Sequence, residues 1–254
     1  MGGAVPPTAV LFLTHFVNSG VVRRYRRLQR ELAGRHPVYF GIDLVSSPAH
    51  RRVTGDLVGP LLFPFDRALL GRLPYRRARE DWQGGNSVVP GRVDLVAQFF
   101  RRLHPQFERL YVVEYDVVYG GHWGSLFADL DARPADLLGT NSFRRDEQPE
   151  WNLWPTLLTP DAALPPERTA RALLSFCRYS RAALLALEGV YARGWEGHFE
   201  ALAPTAVLEA GLAFEDIGGE GPFVPPGRER LHYWSDRMPP PPFDSVGTFI
   251  YRPE

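Results

Sequence analysis

The chain has 254 residues, of which 44% are hydrophobic and 13% aromatic, and its formal net charge is zero. This length and composition predict a globular protein with a sizeable core and exclude a disordered chain. The balanced charge gives no global reason to expect nucleic acid as a partner. All 29 basic residues are arginine, which excludes lysine-based catalysis and a lysine-bearing phosphate loop.

Cellular location is predicted from what the chain lacks. No secretory signal is visible, and no apolar run approaches the roughly 18 residues of a membrane-spanning helix. The single cysteine, Cys177, cannot form an internal disulfide and is interpreted as a buried structural thiol rather than a nucleophile. We therefore expect a cytoplasmic protein with no transmembrane segment.

The first predicted elements form a strand, a helix and a second strand. Residues 9–13 are an apolar run typical of a buried strand, and a loop follows from Thr14 and His15. Apolar residues at helical spacing then predict a helix over 21–33, whose other face carries a run of arginines (Arg23, Arg24, Arg26, Arg27 and Arg30). We interpret that run as a solvated face.

The second strand, residues 37–43, ends in an acid. A strand, a helix and a strand ending in Asp43 are typical of the front half of a nucleotide-binding α/β unit. Asp43 either bonds a ribose or base, or caps the next loop. A G-x-G-x-x-G motif is absent after the first strand, so a dinucleotide fingerprint is not predicted.

The next stretch predicts a short strand at 61–65 and partly helical structure over 66–79. Residues 81–87 form a polar, glycine-rich turn that includes Asn86 and is either a functional loop or an ordinary connector. Val93, Val96, Phe100 and Leu103 then predict a helix whose apolar face points to the core.

The most informative segment is residues 109–116, an apolar strand that ends in two acids. Successive side chains of a strand alternate between its faces, so Glu114 and Asp116 are predicted on one face and Tyr115 on the other. Two carboxylates at the end of a buried strand favour a cation, and a divalent metal holding a phosphorylated ligand is the natural candidate. The alternative is a pair of acids that begins a loop or caps the next helix.

The second half continues the alternation of helices and strands. We predict a short helix at 123–130, a strand at 136–141 and a long loop over 144–167. A long Ala/Leu helix is predicted over 169–187, a further helix ends at Gly211, and a last major strand spans 212–217. The segment before that further helix carries Glu196 and Glu200.

These residues resemble a glycosyltransferase of the GT-A fold. The similarity lies in the E-Y-D strand end with its following glycines and Trp, residues 114–123, and in the acid-plus-Pro-Thr segment 197–205. The resemblance implies an α/β fold, a Rossmann-type α/β/α sandwich around a mostly parallel mixed sheet. It implies one domain over 1–254, with a nucleotide-binding half at 1–118 and an acceptor-binding half at 119–254. Glu114 departs from the usual first aspartate of the motif.

The resemblance also implies roles for individual residues. Asp116 would bind Mn²⁺ or Mg²⁺, while Glu114 would touch the ribose or the water shell of the metal. His232 would complete the metal shell or is a structural histidine. The donor would be a nucleotide-diphosphate sugar of the UDP or GDP type, contacted by a set of residues around these strand ends (Thr14, His15, Asp43, Asn86, Glu114 and Tyr115). The sugar would pass to the hydroxyl of an unknown acceptor. Neither the identity of that acceptor nor the oligomeric state is predicted.

An inverting transferase also needs a general base for the acceptor hydroxyl. Glu200 is the first candidate, then Glu196, with Asp216 third. Four tryptophans are interpreted either as stacking surfaces for sugar rings or as core residues (Trp123, Trp151, Trp154 and Trp195).

Two other functions remain open. A metal-dependent nucleotidyltransferase also places acids at a strand end, although the loop after the first strand has no lysine and a single glycine. A non-catalytic binding module of the same fold is the second alternative. A Ser-His-Asp hydrolase and a zinc site fit poorly, since G-x-S-x-G and H-E-x-x-H are both absent.

Overall fold

The computed structural model describes residues 6–44, 61–78, 89–160, 164–233 and 249–251. The predicted turn at 81–87, with Asn86, lies outside these residues. The strands are β1 (Thr8–Thr14), β2 (Val38–Asp43), β3 (Leu62–Phe65), β4 (Arg109–Glu114), β5 (Val117–Tyr119), β6 (Leu137–Arg144), β7 (Ala170–Ser180), β8 (Phe214–Asp216) and β9 (Phe249–Tyr251). The helices are α1 (Ser19–Glu31), α2 (Arg67–Leu70), α3 (Val89–Leu103), α4 (Trp123–Asp131), α5 (Arg181–Ala192) and α6 (Phe199–Glu209).

Seven strands form one mixed sheet in the order β3-β2-β1-β4-β7-β6-β8. Strand β7 runs antiparallel to both of its neighbours, β4 and β6, whereas the other four pairings are parallel. The carboxyl ends of the six remaining strands therefore lie along the same edge of the sheet. A second, two-stranded sheet joins β5 to β9 in antiparallel fashion.

The helices cover both faces of the large sheet. All seven residues of β1 are buried; Leu11 and Leu13 face the core formed with α3, α5 and α6, and Phe12 faces the core formed with α1 and α4. Such burial on both faces explains the continuous apolar run in the sequence. The predicted fold class, an α/β/α sandwich around a mostly parallel mixed sheet, is confirmed.

The helix predicted over 169–187 is wrong. Residues Ala170–Ser180 form β7, and the helix begins only at Arg181. Because β7 is buried on both faces, its sequence shows no alternation, and a short apolar run of this kind cannot be distinguished from a helix by periodicity. Ser180 marks the true boundary, since its side-chain Oγ accepts a hydrogen bond from the Ala183 amide at 3.0 Å and caps α5.

The arginine face of α1 is solvated only in part. Arg23, Arg26 and Arg30 are exposed as predicted, but Arg24 and Arg27 are half-buried. Their guanidinium groups donate hydrogen bonds to backbone carbonyls in the segment that follows β4. The interpretation of the whole run as a solvated face is therefore wrong for these two residues.

The other predicted elements are present with shifts of a few residues at their ends. Asn18 caps α1, and Gly34 follows that helix with a φ of 76°, a conformation that favours glycine. Within the described ranges no helix is both long and apolar enough to cross a membrane. The division into a nucleotide-binding and an acceptor-binding half stays a prediction.

Candidate functional site

The sheet reverses its winding direction between β1 and β4. From β1 the chain adds β2 and then β3 on one side, and it returns to the other side of β1 with β4. Open α/β sheets bind ligands at such a switch point, outside the carboxyl ends of the strands. Leu13 pairs with Glu114 in the register of β1 and β4, so the loop after Thr14 and the acidic turn after Glu114 lie side by side.

The acidic turn is held by contacts of Tyr115. Its backbone amide donates a hydrogen bond to the Leu13 carbonyl at 2.8 Å. Its ring packs edge-on against His15 and Phe16, with centroid separations of 5.1 and 4.9 Å. Because β4 ends at Glu114, Asp116 lies in the turn rather than in the strand. Strand alternation alone therefore does not fix the direction of Asp116.

The electrostatics of the site are dominated by negative charge. Burial raises the pKa of Glu114 well above its usual range, and the charges of Asp116 and then Glu200 raise it further. The charges of Asp116, in the following turn, and of Glu200, on α6, therefore both act on Glu114. A bound cation would relieve this repulsion.

Glu200 reaches this region from the first turn of α6. The Glu200 Oε1 accepts a hydrogen bond from the Leu174 amide of β7 at 3.4 Å. His198 caps the helix, with its Nδ1 accepting from the Glu200 amide at 3.4 Å, and its own amide donates to Thr156 Oγ1 at 2.9 Å. Helix α6 thus presents Glu200 on the same side of the sheet as the side chain of Glu114.

The donor atoms suit a hard divalent cation. Carboxylate oxygens are ligands that Mg²⁺ and Mn²⁺ prefer. Over the residues that the structure describes, no group of three or more His, Cys, Asp and Glu side chains is placed so that it could hold a metal ion. The arrangement fits an ion that Asp116 and Glu114 hold together with ligand phosphates, which is how Mg²⁺ is usually bound in phosphate-handling sites.

The predicted nucleotide contacts lie on three adjacent strands. Thr14, Asp43 and Glu114 end β1, β2 and β4, and neighbouring strands of a sheet are about 4.8 Å apart. The Thr14 hydroxyl donates to the Phe16 carbonyl at 2.6 Å, and Asp43 is buried. The structure therefore brings Thr14, His15, Asp43, Glu114 and Tyr115 to one stretch of the sheet edge.

Asp216 is the last residue of β8. Strand β8 is separated from β4 by three strand-to-strand spacings, so these two strands lie about 14 Å apart. Burial raises the pKa of its carboxyl, and four hydrogen bonds oppose that rise. Three come from the amides of Ser142, Gly218 and Gly219, and the fourth comes from the Tyr233 hydroxyl at 2.5 Å. These contacts are those of a loop anchor, and the role of Asp216 as a third-choice base stays a prediction.

His232 and Glu196 are engaged elsewhere. The His232 Nε2 lies 3.2 Å from Asp129 Oδ2 on α4 and 3.2 Å from an Arg228 nitrogen. These contacts match the structural alternative for His232. Glu196 is half-buried, and its backbone pairs with Leu158 in an isolated antiparallel bridge. A metal role for His232 and a base role for Glu196 stay predictions.

The tryptophans and the cysteine are mostly core residues. Trp123, Trp154 and Trp195 are at most 4% exposed, as the core interpretation requires. Trp151 is half-buried, and the Arg171 guanidinium lies 5.2 Å from the centre of its ring. Cys177 is fully buried and burial raises its pKa, so the thiol is not a nucleophile at neutral pH.

One feature of β6, the backbone conformation of Asn141, was not predicted from the sequence. Asn141 has a φ of 50°, a left-handed conformation that is uncommon outside glycine, and its amide donates to the Tyr233 hydroxyl. The same hydroxyl donates to Asp216, so one tyrosine joins the middle of β6 to the end of β8. The residue type offers a weak signal, because asparagine is several-fold enriched in this conformation.

No protein-family model matches the chain, and no curated protein sequence matches it. Solved structures do match it, among them the three that follow. Core-mannan synthase A from Aspergillus fumigatus, in its Mn/GDP form, has 12% identity and a TM-score of 0.41, with coverage of 85% of this chain and 74% of that one. A mannosyltransferase from Pyrobaculum calidifontis, in complex with GDP-Man and Mn²⁺, has 13% identity and a TM-score of 0.43, with coverage of 88% and 56%.

Another similar structure carries the name of a glucose-1-phosphate thymidylyltransferase from Bacillus anthracis and was solved in complex with sucrose. It has 9% identity and a TM-score of 0.45, with coverage of 82% of this chain and 86% of that one. Structural similarity at these TM-scores and identities does not indicate a function. The fold class rests on the strand order and layers of the chain itself.

Proposed function

We propose that this protein is a metal-dependent glycosyltransferase of the GT-A type, which moves a sugar from a nucleotide-diphosphate sugar to an acceptor hydroxyl. One observation carries the proposal. The acidic turn with Glu114 and Asp116 lies at the switch point of the sheet, and Glu200 from α6 is close enough for its charge to raise the pKa of Glu114.

Each part of the site has a function in this proposal. Asp116 and Glu114 would hold Mn²⁺ or Mg²⁺, which when bound would supply charge neutralisation for the departing diphosphate. Thr14, His15, Asp43 and Tyr115 line the nucleotide side at the ends of β1, β2 and β4; Asn86 is also proposed there.

Glu200 accepts the proton of the acceptor hydroxyl through a carboxylate oxygen. The position of Glu200 supports this role. The hydrogen bond from the Leu174 amide of β7 holds one carboxylate oxygen and so orients the carboxylate. A general base held in this way contributes about 10²–10⁴ in rate.

The first test is a thermal-shift screen against UDP, GDP, CDP and TDP, each with and without Mn²⁺. A ligand that binds the folded state adds about RT ln(1 + [L]/Kd) of stability, so saturation raises the melting temperature by several degrees. We expect a metal-dependent shift for at least one diphosphate in the wild type and none in Asp116→Asn. Asp146→Asn, at an exposed aspartate, is the matched control and keeps the shift.

The same preparation separates the proposal from its alternatives. Nucleotide release from a panel of UDP- and GDP-sugars with Mn²⁺ supports a transferase. Pyrophosphate release from a nucleoside triphosphate would instead indicate a nucleotidyltransferase. Binding of a diphosphate without turnover of either substrate class would identify a binding module, and the absence of any shift overturns the proposal.

A further inference from the structure

Helix α1 contacts the acidic turn through side chains that lie next to its apolar stripe. Arg24, Arg27 and Glu31 occupy positions i, i+3 and i+7, which share one side of a helix. Apart from the Arg27–Glu31 pair within the helix, the contacts described below are made to residues 115–123, from the turn after β4 to the first residue of α4. Three polar residues of one helix thus bind the backbone that surrounds Asp116.

Arg24 holds the peptide group that precedes Asp116. Its Nη1 donates a hydrogen bond to the Tyr115 carbonyl at 2.9 Å. On the other side of the same residue, the Tyr115 amide is bound to the Leu13 carbonyl. With both backbone groups of Tyr115 held, the plane of the Tyr115–Asp116 peptide is restrained, and so is the position of the Asp116 Cα atom.

Arg27 and Glu31 hold the distal part of the same segment. Arg27 Nη1 donates to the Tyr119 carbonyl at 2.8 Å, and its Nη2 donates to the Gly121 carbonyl. Glu31 pairs with Arg27 Nε at 2.8 Å and accepts a hydrogen bond from the Trp123 amide at 2.8 Å. A planar guanidinium offers several donors in fixed directions, which suits this multiple contact better than a lysine ammonium does.

We propose that Arg24 is a positioning residue for the metal ligand Asp116, with Arg27 and Glu31 holding the remainder of the turn. The inference rests on the proposed function. In this proposal Arg24 orients a residue that binds the metal. Loss of such an orienting contact typically lowers metal affinity by about 10–100-fold. The proposed role of Arg24 includes no bond to metal or substrate. Arg24 acts on Asp116 through the Tyr115 backbone carbonyl.

The test compares Arg24→Met and Arg24→Lys with Arg26→Met, an exposed position on the same helix. Mn²⁺ is titrated at saturating UDP, and in a second series at saturating GDP, and free Mn²⁺ is measured by electron paramagnetic resonance. We expect Arg24→Met to weaken Mn²⁺ binding by about 10-fold or more. Arg24→Lys keeps a positively charged donor group but loses the guanidinium geometry, so we expect its Mn²⁺ affinity to lie between those of Arg24→Met and the wild type. Arg26→Met should bind Mn²⁺ as the wild type does.

A second readout excludes a general loss of folding. Melting temperature without metal and amide hydrogen exchange are measured on the same variants. We expect faster exchange in residues 115–121 of Arg24→Met, with the exchange of β1 and β4 unchanged. Unaltered Mn²⁺ affinity in Arg24→Met, with normal binding by the wild type, overturns the inference alone. Absence of Mn²⁺ binding by the wild type overturns the proposed function and this inference with it.

Discussion

The carboxylates of Glu114 and Glu200 come from opposite halves of the chain, yet the charge of Glu200 raises the pKa of Glu114. Strand β7 lies between them in the fold, because it pairs with β4 and carries the Leu174 amide that binds Glu200. The antiparallel strand is therefore what brings the candidate base Glu200 toward Glu114.

Glu200→Gln tests the candidate base. We expect kcat for transfer or donor hydrolysis to fall by about 10²–10⁴, because the amide cannot accept the proton. Mn²⁺ and nucleotide binding should persist, since the repulsion on Glu114 decreases rather than increases. Turnover is measured as nucleotide release from a UDP- or GDP-sugar. Glu209→Gln, at the other end of α6, is the control, and near-normal turnover in Glu200→Gln would remove Glu200 from the mechanism.

Glu114→Gln tests the acid repulsion through stability. The folded-state pKa of Glu114 is raised, so the folded protein retains a proton that the unfolded chain has lost. The stability of the metal-free protein should therefore fall as pH rises from the ordinary glutamate range, about 4.3, toward the raised value. Glu114→Gln should melt a few degrees higher than the wild type near neutral pH and lose the Mn²⁺-dependent shift.

The measurement for Glu114 is a series of melting curves from about pH 4 to about pH 8 in the presence of a chelator. The difference between the variant and the wild type should grow with pH across the window. Mn²⁺ binding by the wild type should also strengthen over the same window, since the metal competes with that proton. A wild-type stability that rises in parallel with the variant would contradict the raised pKa.

Tyr233→Phe tests the tyrosine hydroxyl that joins Asn141 of β6 to Asp216 at the end of β8. The change removes the hydroxyl that binds both the Asn141 amide and Asp216, so two buried polar groups lose a partner. Each such loss costs about 1–3 kcal/mol. For a chain of this size, 1 kcal/mol lowers the melting temperature by about 2–4 °C. Tyr39→Phe, at a half-buried ring packed against Phe100, is the control and should melt within a degree or so of the wild type.

Asp131→Asn tests a buried ion-pair network remote from the acids. Burial alone would raise the pKa of Asp131, but hydrogen bonds from His36, Arg35 and Tyr111 outweigh it and lower the pKa. The depressed pKa contributes stability above the ordinary aspartate range, about 3.9, and that stability is lost as pH falls through the folded-state value.

We expect Asp131→Asn to lose about 3–5 kcal/mol at neutral pH, as when one partner of a buried pair is removed. Its acid denaturation should also be less steep than that of the wild type. Urea unfolding at several pH values measures both effects, with the exposed Asp146→Asn as the control. A constant difference between variant and wild type at every pH would argue against the pKa shift.

The sequence predicts most of this sheet because β1, β2 and β4 have continuous apolar runs that end in polar residues. Their ends place Thr14, Asp43 and Glu114 at the switch point through rules of parallel topology. Strand β7 could not be predicted in the same way, since burial on both faces removes the alternation that distinguishes strands.

The roles of individual side chains were harder to predict. The position of Arg24 next to the apolar stripe of α1 gave no sign that it would bind the Tyr115 carbonyl, a residue 91 positions later. Asp216 and His232 have residue types that suit catalysis or metal binding, but long-range contacts with Tyr233 and Asp129 decide their surroundings. Such contacts depend on the tertiary fold, which local patterns do not contain.

The pairing of β5 with β9 has a consequence for the order in which the protein is completed during synthesis. The last strand of the seven-stranded sheet ends at Asp216, whereas β9, which pairs with β5 just after Asp116, ends at Tyr251, 35 residues later. At about 5–20 residues per second, the ribosome adds those residues in roughly 2–7 s. The seven-stranded sheet can thus form on the nascent chain first. Strand β5, next to the acidic turn, pairs with β9 only after that sheet has been synthesised.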